Sequence, residues 1–208
     1  MKKIVSISLG SDSLDYKFRA DFLGQRFQVS RRGTNEDKRT AAQLIQESAD
    51  KADVIGLGMV PDHYWVGTNY FSQAVTRKLE KKAGPVPVTT GARLREIVQE
   101  WSVRSAQVEL GGIFNNARVL FMSGATNYRL ASVLSEYTQN LSFADPVLQL
   151  GAPSLLHSLR ALELYSAGSD PLLKYASGRT LVPAIGPASY LQQFVLRKAV
   201  QDADVIVA

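Results

Sequence analysis

The first half of the chain switches between strand-like and helix-like hydrophobic patterns. Residues 4–9 form an apolar segment with two interleaved serines that ends at Gly10, which predicts a buried first strand. Apolar residues at every second position over 18–22 and 27–29 predict a β-hairpin that turns at Gly24. Further along this half we predict a helix over 36–50 with a capping box at Thr34 and Asp37, strands over 52–58 and 86–89, and helices over 71–82 and 92–104.

The second half shows the same kind of alternation after a break. Pairs of Gly and Asn over 108–116 predict a linker, and the run 117–124 predicts a strand that ends at Gly124. Asn127 is placed to cap the helix that follows this strand. The remaining elements predicted from the pattern are strands over 141–145 and 204–207, and helices near 154–166 and 188–202.

Strands that alternate with helices of this length are typical of mostly parallel sheets covered on both faces. We therefore predict an α/β protein made of two Rossmann-like units, residues 1–105 with a β-hairpin and residues 117–208. The last strand ends at Ala208 with no helix behind it, so we expect the second unit to be truncated at its carboxyl terminus.

Composition limits the chemistry of the chain. Its 208 residues include two histidines and no cysteine, so disulfides, thiol nucleophiles and thiolate metal sites are excluded, and we expect no metal. Residues 1–104 hold 17 Lys and Arg against 12 Asp and Glu, whereas residues 105–208 hold seven of each. A basic first half suits anionic ligands. Nucleic acid is not expected, because no aromatic residues interleave the densest basic cluster, residues 77–82.

The hydropathy pattern also bears on location. The longest uncharged stretch, residues 180–196, is interrupted by Pro183 and Pro187, whereas a spanning helix needs about 20 mostly apolar residues. We therefore expect no membrane association and a cytoplasmic protein. The oligomeric state stays open at this stage.

The predicted strands place several polar loops at one edge of each sheet. Ligands of open α/β sheets bind outside the carboxyl ends of the strands, where loops and helix starts supply hydrogen-bond donors. This rule selects Ser11, Ser13, Gly58, Thr90 and Asn127 as candidate substrate-binding residues. Hydroxyls and one amide suit a small, anionic, polyhydroxylated molecule bound by direct hydrogen bonds. Ordinary turn chemistry is the competing interpretation of the same residues.

His63 is the candidate catalytic residue. It follows the Gly58 turn and lies between an aspartate and two aromatic residues, a setting that suits a general acid or base. A surface loop whose rings cover the core is the alternative. His157 falls among leucines at helical spacing, so we interpret it as structural.

A dinucleotide site is the second chemical hypothesis. Gly124 ends a predicted strand, and Asp145 follows 21 residues later at the end of the next, where an acidic residue can hold a ribose hydroxyl. Gly124 and Asp145 are therefore the candidate cofactor-binding residues for NAD(P). The full glycine fingerprint is absent, because Thr126 and Arg129 occupy the positions of the two later glycines.

Three segments carry a resemblance to a known group of proteins. VSISLGSDSLDY at residues 5–16, ADVIGLGMVPDHYWVG at 52–67 and FADPVLQLGAP at 143–153 resemble uncharacterised bacterial proteins labelled quinate 5-dehydrogenase. The resemblance implies an α/β fold and an oxidoreductase class. It transfers no catalytic residue, because the Asn-Val-Thr segment and catalytic lysine of authentic quinate and shikimate dehydrogenases have no match here. Two functions therefore compete: an oxidoreductase that uses NAD(P) and acts on an anionic, polyhydroxylated small molecule, and a non-catalytic α/β module that binds a small anion.

Overall fold

The computed structural model of the chain describes residues 1–175 and 187–208, with side chains for 1–169 and 190–208. The chain divides into two compact units. Unit 1 comprises Met1–His63 and Ser72–Arg95, and unit 2 comprises Tyr64–Phe71 and Glu96–Ala208. Each unit has its own sheet, and the protein is an α/β protein.

Unit 1 is built on a five-stranded sheet in the order β2-β3-β1-β4-β7. Its first strand pairs in parallel with the strands on both sides, and the sheet is parallel except for the antiparallel β2–β3 pair. The predicted first strand, hairpin and second strand of the sheet are confirmed. The strands are β1 (Lys2–Ser8), β2 (Tyr16–Phe22), β3 (Gln25–Gly33), β4 (Val54–Gly58) and β7 (Val88–Thr89).

The apolar core of unit 1 lies on one face of this sheet. Ile7 and Leu57 pack with Ile45 of helix α1 (Lys38–Ala49), and all three side chains are almost fully buried. A short helix, α2 (Ala74–Glu80), adds Leu79 to the same cluster. The start of α1 differs in detail from the prediction. Asp37 accepts hydrogen bonds from the amides of the first turn, whereas the Thr34 hydroxyl donates to the carbonyl of Ser8.

We predict helices on both faces of the sheet, but the helices of unit 1 leave the face opposite the core uncovered. The side chains that alternate with the core residues are polar, small or only partly buried, and the aromatic residues of the hairpin stay open to solvent: Tyr16, Phe18 and Phe22 are each about half exposed or more. This arrangement follows from the strand period of two. The residues of β1 that pack in the core are odd-numbered, so the even-numbered side chains of β1 point to the other face.

A small hairpin precedes the helix predicted over 71–82, which begins at Ala74. Strands β5 (Tyr64–Val66) and β6 (Asn69–Phe71) pair in antiparallel fashion across a two-residue turn at Gly67. Gly67 has a φ of 59°, a left-handed conformation that glycine adopts without strain. The rings of Tyr64 and Phe71 stack at 5.2 Å and contribute to the core of unit 2.

Unit 2 is built on three parallel strands in the order β10-β8-β9. Its core contains Phe121 and Phe143, whose ring centroids lie 5.3 Å apart, together with Leu134 and Leu162. The strands are β8 (Val119–Phe121), β9 (Leu141–Phe143) and β10 (Val205–Val207). The helices of the second half are α3 (Ala92–Glu109), α4 (Tyr128–Leu134), α5 (Asp145–Leu150), α6 (Leu159–Tyr175) and α7 (Pro187–Asp202).

Two predictions for this half are wrong. The strand predicted over 141–145 ends at Phe143, and Asp145 instead begins α5, where Pro146 in the first turn favours a helix start. His157 does not lie in a helix. It precedes α6, next to Leu156, whose backbone pairs with that of Phe143.

The described residues contain no helix that is long and apolar enough to span a membrane. Residues 180–186 of the uncharged stretch used in that prediction lie outside the described part of the chain.

Candidate functional site

Four of the predicted binding residues lie at the carboxyl edge of the sheet in unit 1. Gly58 ends β4 and pairs with Ser8, the last residue of β1. Ser11 and Ser13 follow β1, and Thr90 follows the end of β7. Because these strands are parallel, their carboxyl ends share one edge. The structure thus places the four residues on that edge, and their role in binding stays a prediction.

The loop that carries the two serines is held by its own hydrogen bonds. Ser11 Oγ accepts a bond of 3.1 Å from the Ser13 amide and lies 2.7 Å from Ser13 Oγ. The carbonyl of Gly10 accepts from the amides of Thr34 and Asn35, both at 3.0 Å. The Gly10 bonds hold the loop after β1 against the loop after β3.

Arg31 is the residue at this edge that the sequence reasoning missed. Its Nη1 atom donates to the carbonyl of Ser11 at 2.9 Å and to Asp15 Oδ1 at 3.1 Å. Asp15 Oδ1 also accepts from the Gly33 amide at 2.5 Å, which fixes the carboxylate. Both side-chain hydrogen bonds that Arg31 forms with the described residues have Nη1 as the donor, so the N–H groups of Nη2 can donate to a ligand. A Cβ atom on Gly10 would lie 3.2 Å from that Nη2.

Left-handed backbone conformations also concentrate at this edge. Asn35, Glu36 and Met59 have φ values of 48°, 67° and 54°, a region that non-glycine residues seldom adopt. Asn35 and Glu36 follow β3, and Met59 directly follows β4. Such strain persists only where the surrounding structure determines it, and it is typical of binding sites.

Thr90 uses its hydroxyl within its own turn. Thr90 Oγ1 accepts a bond of 3.4 Å from the Ala92 amide, at the start of α3, and Thr89 Oγ1 accepts from the Gly91 amide at 3.2 Å. Each hydroxyl retains its own proton as a donor. Thr90 therefore serves both as part of a turn and as a candidate donor at the edge.

His63 is engaged through both ring nitrogens. Nδ1 accepts a hydrogen bond of 2.8 Å from the Gln73 amide, so the neutral ring carries its proton on Nε2, 3.1 Å from Glu80 Oε2. The side chain is 17% exposed. This geometry connects the loop after β4 to α2, which is a structural role. The catalytic role of His63 stays a prediction.

The candidate cofactor residues lie in unit 2 and are in contact with each other. Asp145 is fully buried, and its carboxylate accepts from the amides of Gly124 at 2.7 Å and Ala125 at 3.1 Å. Burial raises the pKa of Asp145, although these two amide bonds act in the opposite direction. In a dinucleotide site the amides of such a turn face the pyrophosphate. Here both are occupied by Asp145.

Asn127 belongs to unit 2, whereas the other four predicted substrate-binding residues belong to unit 1. Asn127 precedes α4, but its side chain does not cap that helix: Nδ2 donates to the Ser123 carbonyl at 2.9 Å. No group of three or more His, Asp or Glu side chains that could hold a metal occurs among the described residues.

Comparison with known proteins matches the two halves of the chain to two families. Residues 3–90 match the family described as Domain of unknown function (DUF8753), and residues 93–208, more than half of the chain, match Domain of unknown function (DUF8754). The chain belongs to the DUF8754 family. The two matched segments meet close to the division between unit 1 and unit 2 at Arg95 and Glu96. No curated protein matches the chain.

The DUF8754 segment contains a cleft of about 630 Å³ that the sequence reasoning did not find. Its walls are mainly apolar and include Leu120, Leu155 and Phe194. His157 lies in the wall, and its Nδ1 atom is 3.2 Å from Ser142 Oγ. The sequence did not indicate this cleft, because leucines at helical spacing around His157 are typical of a packed helix.

Proposed function

We propose that unit 1 binds a small, anionic, polyhydroxylated molecule at the carboxyl edge of its sheet, without catalysing a reaction there. The observation that carries this proposal is the guanidinium of Arg31. It is 13% exposed, is oriented by Asp15 and the Ser11 carbonyl, and keeps Nη2 for a ligand. A charge-assisted bond from a pre-oriented arginine to an anion is stronger than a bond between neutral groups.

Arg31 is the cation on its face of the sheet at this edge. Arg31 pairs with Tyr16 and Ser6, whereas Arg32 pairs with Ile7 and Lys17 with Ser30, so the side chains of Lys17 and Arg32 lie on the opposite face. Asp15 fixes the rotamer of Arg31. The hydroxyls of Ser11 and Ser13 lie on the neighbouring loop and supply donors and acceptors for ligand hydroxyls.

The oxidoreductase hypothesis, with NAD(P) bound by Rossmann-like units, rests on the sequence resemblance and on Gly124 and Asp145. The hydrogen bonds of Asp145 oppose it, because the carboxylate fills the position in which the turn amides would meet a pyrophosphate. His63 also uses both nitrogens within the protein. The binding function therefore has the better geometric support.

Isothermal titration with quinate, shikimate, gluconate and inorganic phosphate tests the proposal. We expect saturable binding of at least one of these anions, and an affinity about ten- to a hundredfold weaker for Arg31→Gln, since a charge-assisted hydrogen bond is worth about 1.5–3 kcal/mol. Arg26→Gln is the matched control, because Arg26 is on the same strand but is exposed and pairs with Asp21. Absence of binding by all four anions, or equal losses in both variants, contradicts the proposal.

Titration with NAD(H) and NADP(H), followed by nicotinamide fluorescence, separates the two functions. The binding function predicts no saturable change with either cofactor. Saturable binding of either one by the folded protein would instead support the oxidoreductase hypothesis. In a filter-binding assay with nucleic acid, retention that weakens steeply as the salt concentration rises would support a nucleic-acid role.

A further inference from the structure

Five cations lie together on the α1 side of the sheet in unit 1. Residues that oppose each other on neighbouring strands have their side chains on the same face. Lys3 and Arg19 both oppose Gln28, and Lys17 opposes Ser30. The basic patch is defined by its five exposed cations, which come from β1, β2, β3 and the turn after α1: Lys3, Lys17, Arg19, Arg32 and Lys51.

Two depressions meet at the basic patch. The first has a volume of about 320 Å³, lies between α1 and the sheet, and has three of the cations in its wall: Lys3, Arg32 and Lys51. The second has a volume of about 390 Å³ and includes Lys17 and Arg32 in its wall. Gln28 and Ser30 line both depressions, so the two form one continuous groove across β1, β3 and β2.

The positive charge of this groove is not neutralised by the part of the chain that the structure describes. None of the five cations forms an ion pair there. The groove has two acidic residues, Asp15 and Glu47. Asp15 accepts from Arg31, and Glu47 accepts a bond of 2.8 Å from a glutamine one turn earlier in α1. The groove therefore suits an anionic partner.

The size of the basic patch indicates how many charges this partner carries. Neighbouring strands lie about 4.8 Å apart, and alternate residues of one strand lie about 6.8 Å apart. Two such steps separate the level of Arg19 from that of Arg32, so the patch extends about 14 Å along the strands and about 10 Å across them. One small anion cannot contact cations spread over this area. Each strand of a nucleic acid duplex has one phosphate about every 3.4 Å of axis, so 14 Å covers about four.

We propose that the basic patch binds the phosphate backbone of double-helical nucleic acid without reading its sequence. Lysine and arginine, with Gln28 and Ser30 between them, are residue types that contact phosphate oxygens. The aromatic residues of β2, Tyr16 and Phe18, alternate with Lys17, so their rings lie on the opposite face and cannot stack with bases at the patch. A groove also suits a rod-shaped duplex better than a flat bilayer. Residues 77–82, the densest basic run of the sequence, lie outside the patch.

The salt dependence of binding tests the proposal. The anisotropy of a labelled DNA duplex of about 20 base pairs is titrated with the full chain at KCl concentrations from about 50 to 200 mM. We expect log K to fall against log[salt] with a slope of about −3.6, the value for four phosphate contacts. Lys17→Gln and Arg32→Gln should each reduce the slope by about 1, whereas Arg32→Lys should retain it, because the contact needs only the charge.

Lys82→Gln is the matched control, because it removes the same charge from an exposed position in the run 77–82. Its slope should equal that of the wild type. Melting temperatures of Lys17→Gln and Arg32→Gln should also equal that of the wild type, since neither side chain has an ion pair to lose among the described residues. A wild type that does not bind the duplex at the lowest salt concentration, or a loss of slope in Lys82→Gln equal to that in the patch variants, overturns the proposal.

Two other probes separate the duplex from other polyanions. Single-stranded DNA of the same length should bind more weakly, because the basic patch offers no ring for stacking. Vesicles of equal parts phosphatidylcholine and phosphatidylserine should not compete with the duplex at equal phosphate concentration. Tighter binding of the single strand, or displacement of the duplex by the vesicles, contradicts the proposal.

Discussion

The carboxylate of Asp145 accepts a 2.7 Å hydrogen bond from the backbone amide of Gly124, 21 residues earlier in the chain. This bond joins the turn after β8 to the first turn of α5. A fully buried carboxylate requires such donors, because an unpaired charge in the core costs several kcal/mol. The spacing that suggested a ribose contact therefore has a structural cause in this fold.

Asp145→Ala should lower the free energy of unfolding by about 2–4 kcal/mol, because the amides of Gly124 and Ala125 lose their acceptor inside the core. Asp145→Asn should lose less, since its carbonyl oxygen can accept one of the two bonds. Urea denaturation of the three proteins measures both differences. A loss below that of an average surface substitution in Asp145→Ala would show that the two bonds do not stabilise the fold.

The same residue predicts a pH dependence. Burial raises the pKa of Asp145 above its ordinary 3.8, so the folded state binds its proton more tightly than the unfolded chain does. Wild-type stability should therefore increase relative to Asp145→Ala as the pH falls from the folded pKa towards 3.8. Denaturation at a series of pH values checks this, and a gap between the two proteins that narrows over this range would contradict it.

Gly124 should not tolerate a side chain. A Cβ atom there would overlap the ring of Phe143 and lie 3.0 Å from Leu162 Cδ2, so Gly124→Ala should destabilise unit 2 by about 1–3 kcal/mol. Gly168→Ala is the matched control. Gly168 lies in α6, and outside the backbone of that helix no atom of the described residues comes within 4 Å of the position that a Cβ would take, so the substitution should stabilise the protein by about 0.5–1 kcal/mol. Thermal unfolding of both variants should show shifts of opposite sign.

The elements with long, regular periods were the ones that the sequence predicted well. Helix α1 and the strands β1 and β4 combine a clear apolar face with defined ends, and they form at nearly the predicted residues. The hairpin β5–β6 was missed because its strands have three residues each, too few to establish a period. The sequence Val66-Gly67-Thr68 was the available turn signal.

The site was predicted less completely than the fold because its residues act through tertiary contacts. The loops after β1, β4 and β7 could be placed at one edge from strand order alone. Arg31 could not, because the predicted hairpin ended at Val29, and the contacts of Arg31 with Ser11 and Asp15 join positions 16–20 residues apart. The basic patch was also beyond the pattern, because the pairing of β1, β2 and β3 brings together cations that are scattered over residues 3–51.

The ion pair of Arg118 and Asp204 predicts a loss of stability in acid. Hydrogen bonds from Arg118 hold the pKa of Asp204 at about 2, below its ordinary 3.8. The stabilisation from this pair is therefore present above 3.8 and is lost as the pH falls towards 2. Asp204→Asn should differ from the wild type at neutral pH and approach it over this window. Arg118→Gln should behave in the same way, and a difference that is constant with pH would contradict the assignment.

Substitution of His63 separates its structural role from the predicted catalytic one. His63→Ala removes the acceptor for the Gln73 amide and the partner of Glu80, so it should lower the free energy of unfolding by about 1–3 kcal/mol. Its affinity for an anion that binds the wild type should change little once the protein is folded. Ser11→Ala should show the reverse, because Ser11 is exposed and forms its bonds within one loop. Melting temperature and calorimetric affinity, measured on both variants, decide the matter: an unchanged melt with lost ligand affinity in His63→Ala would assign that ring to the site.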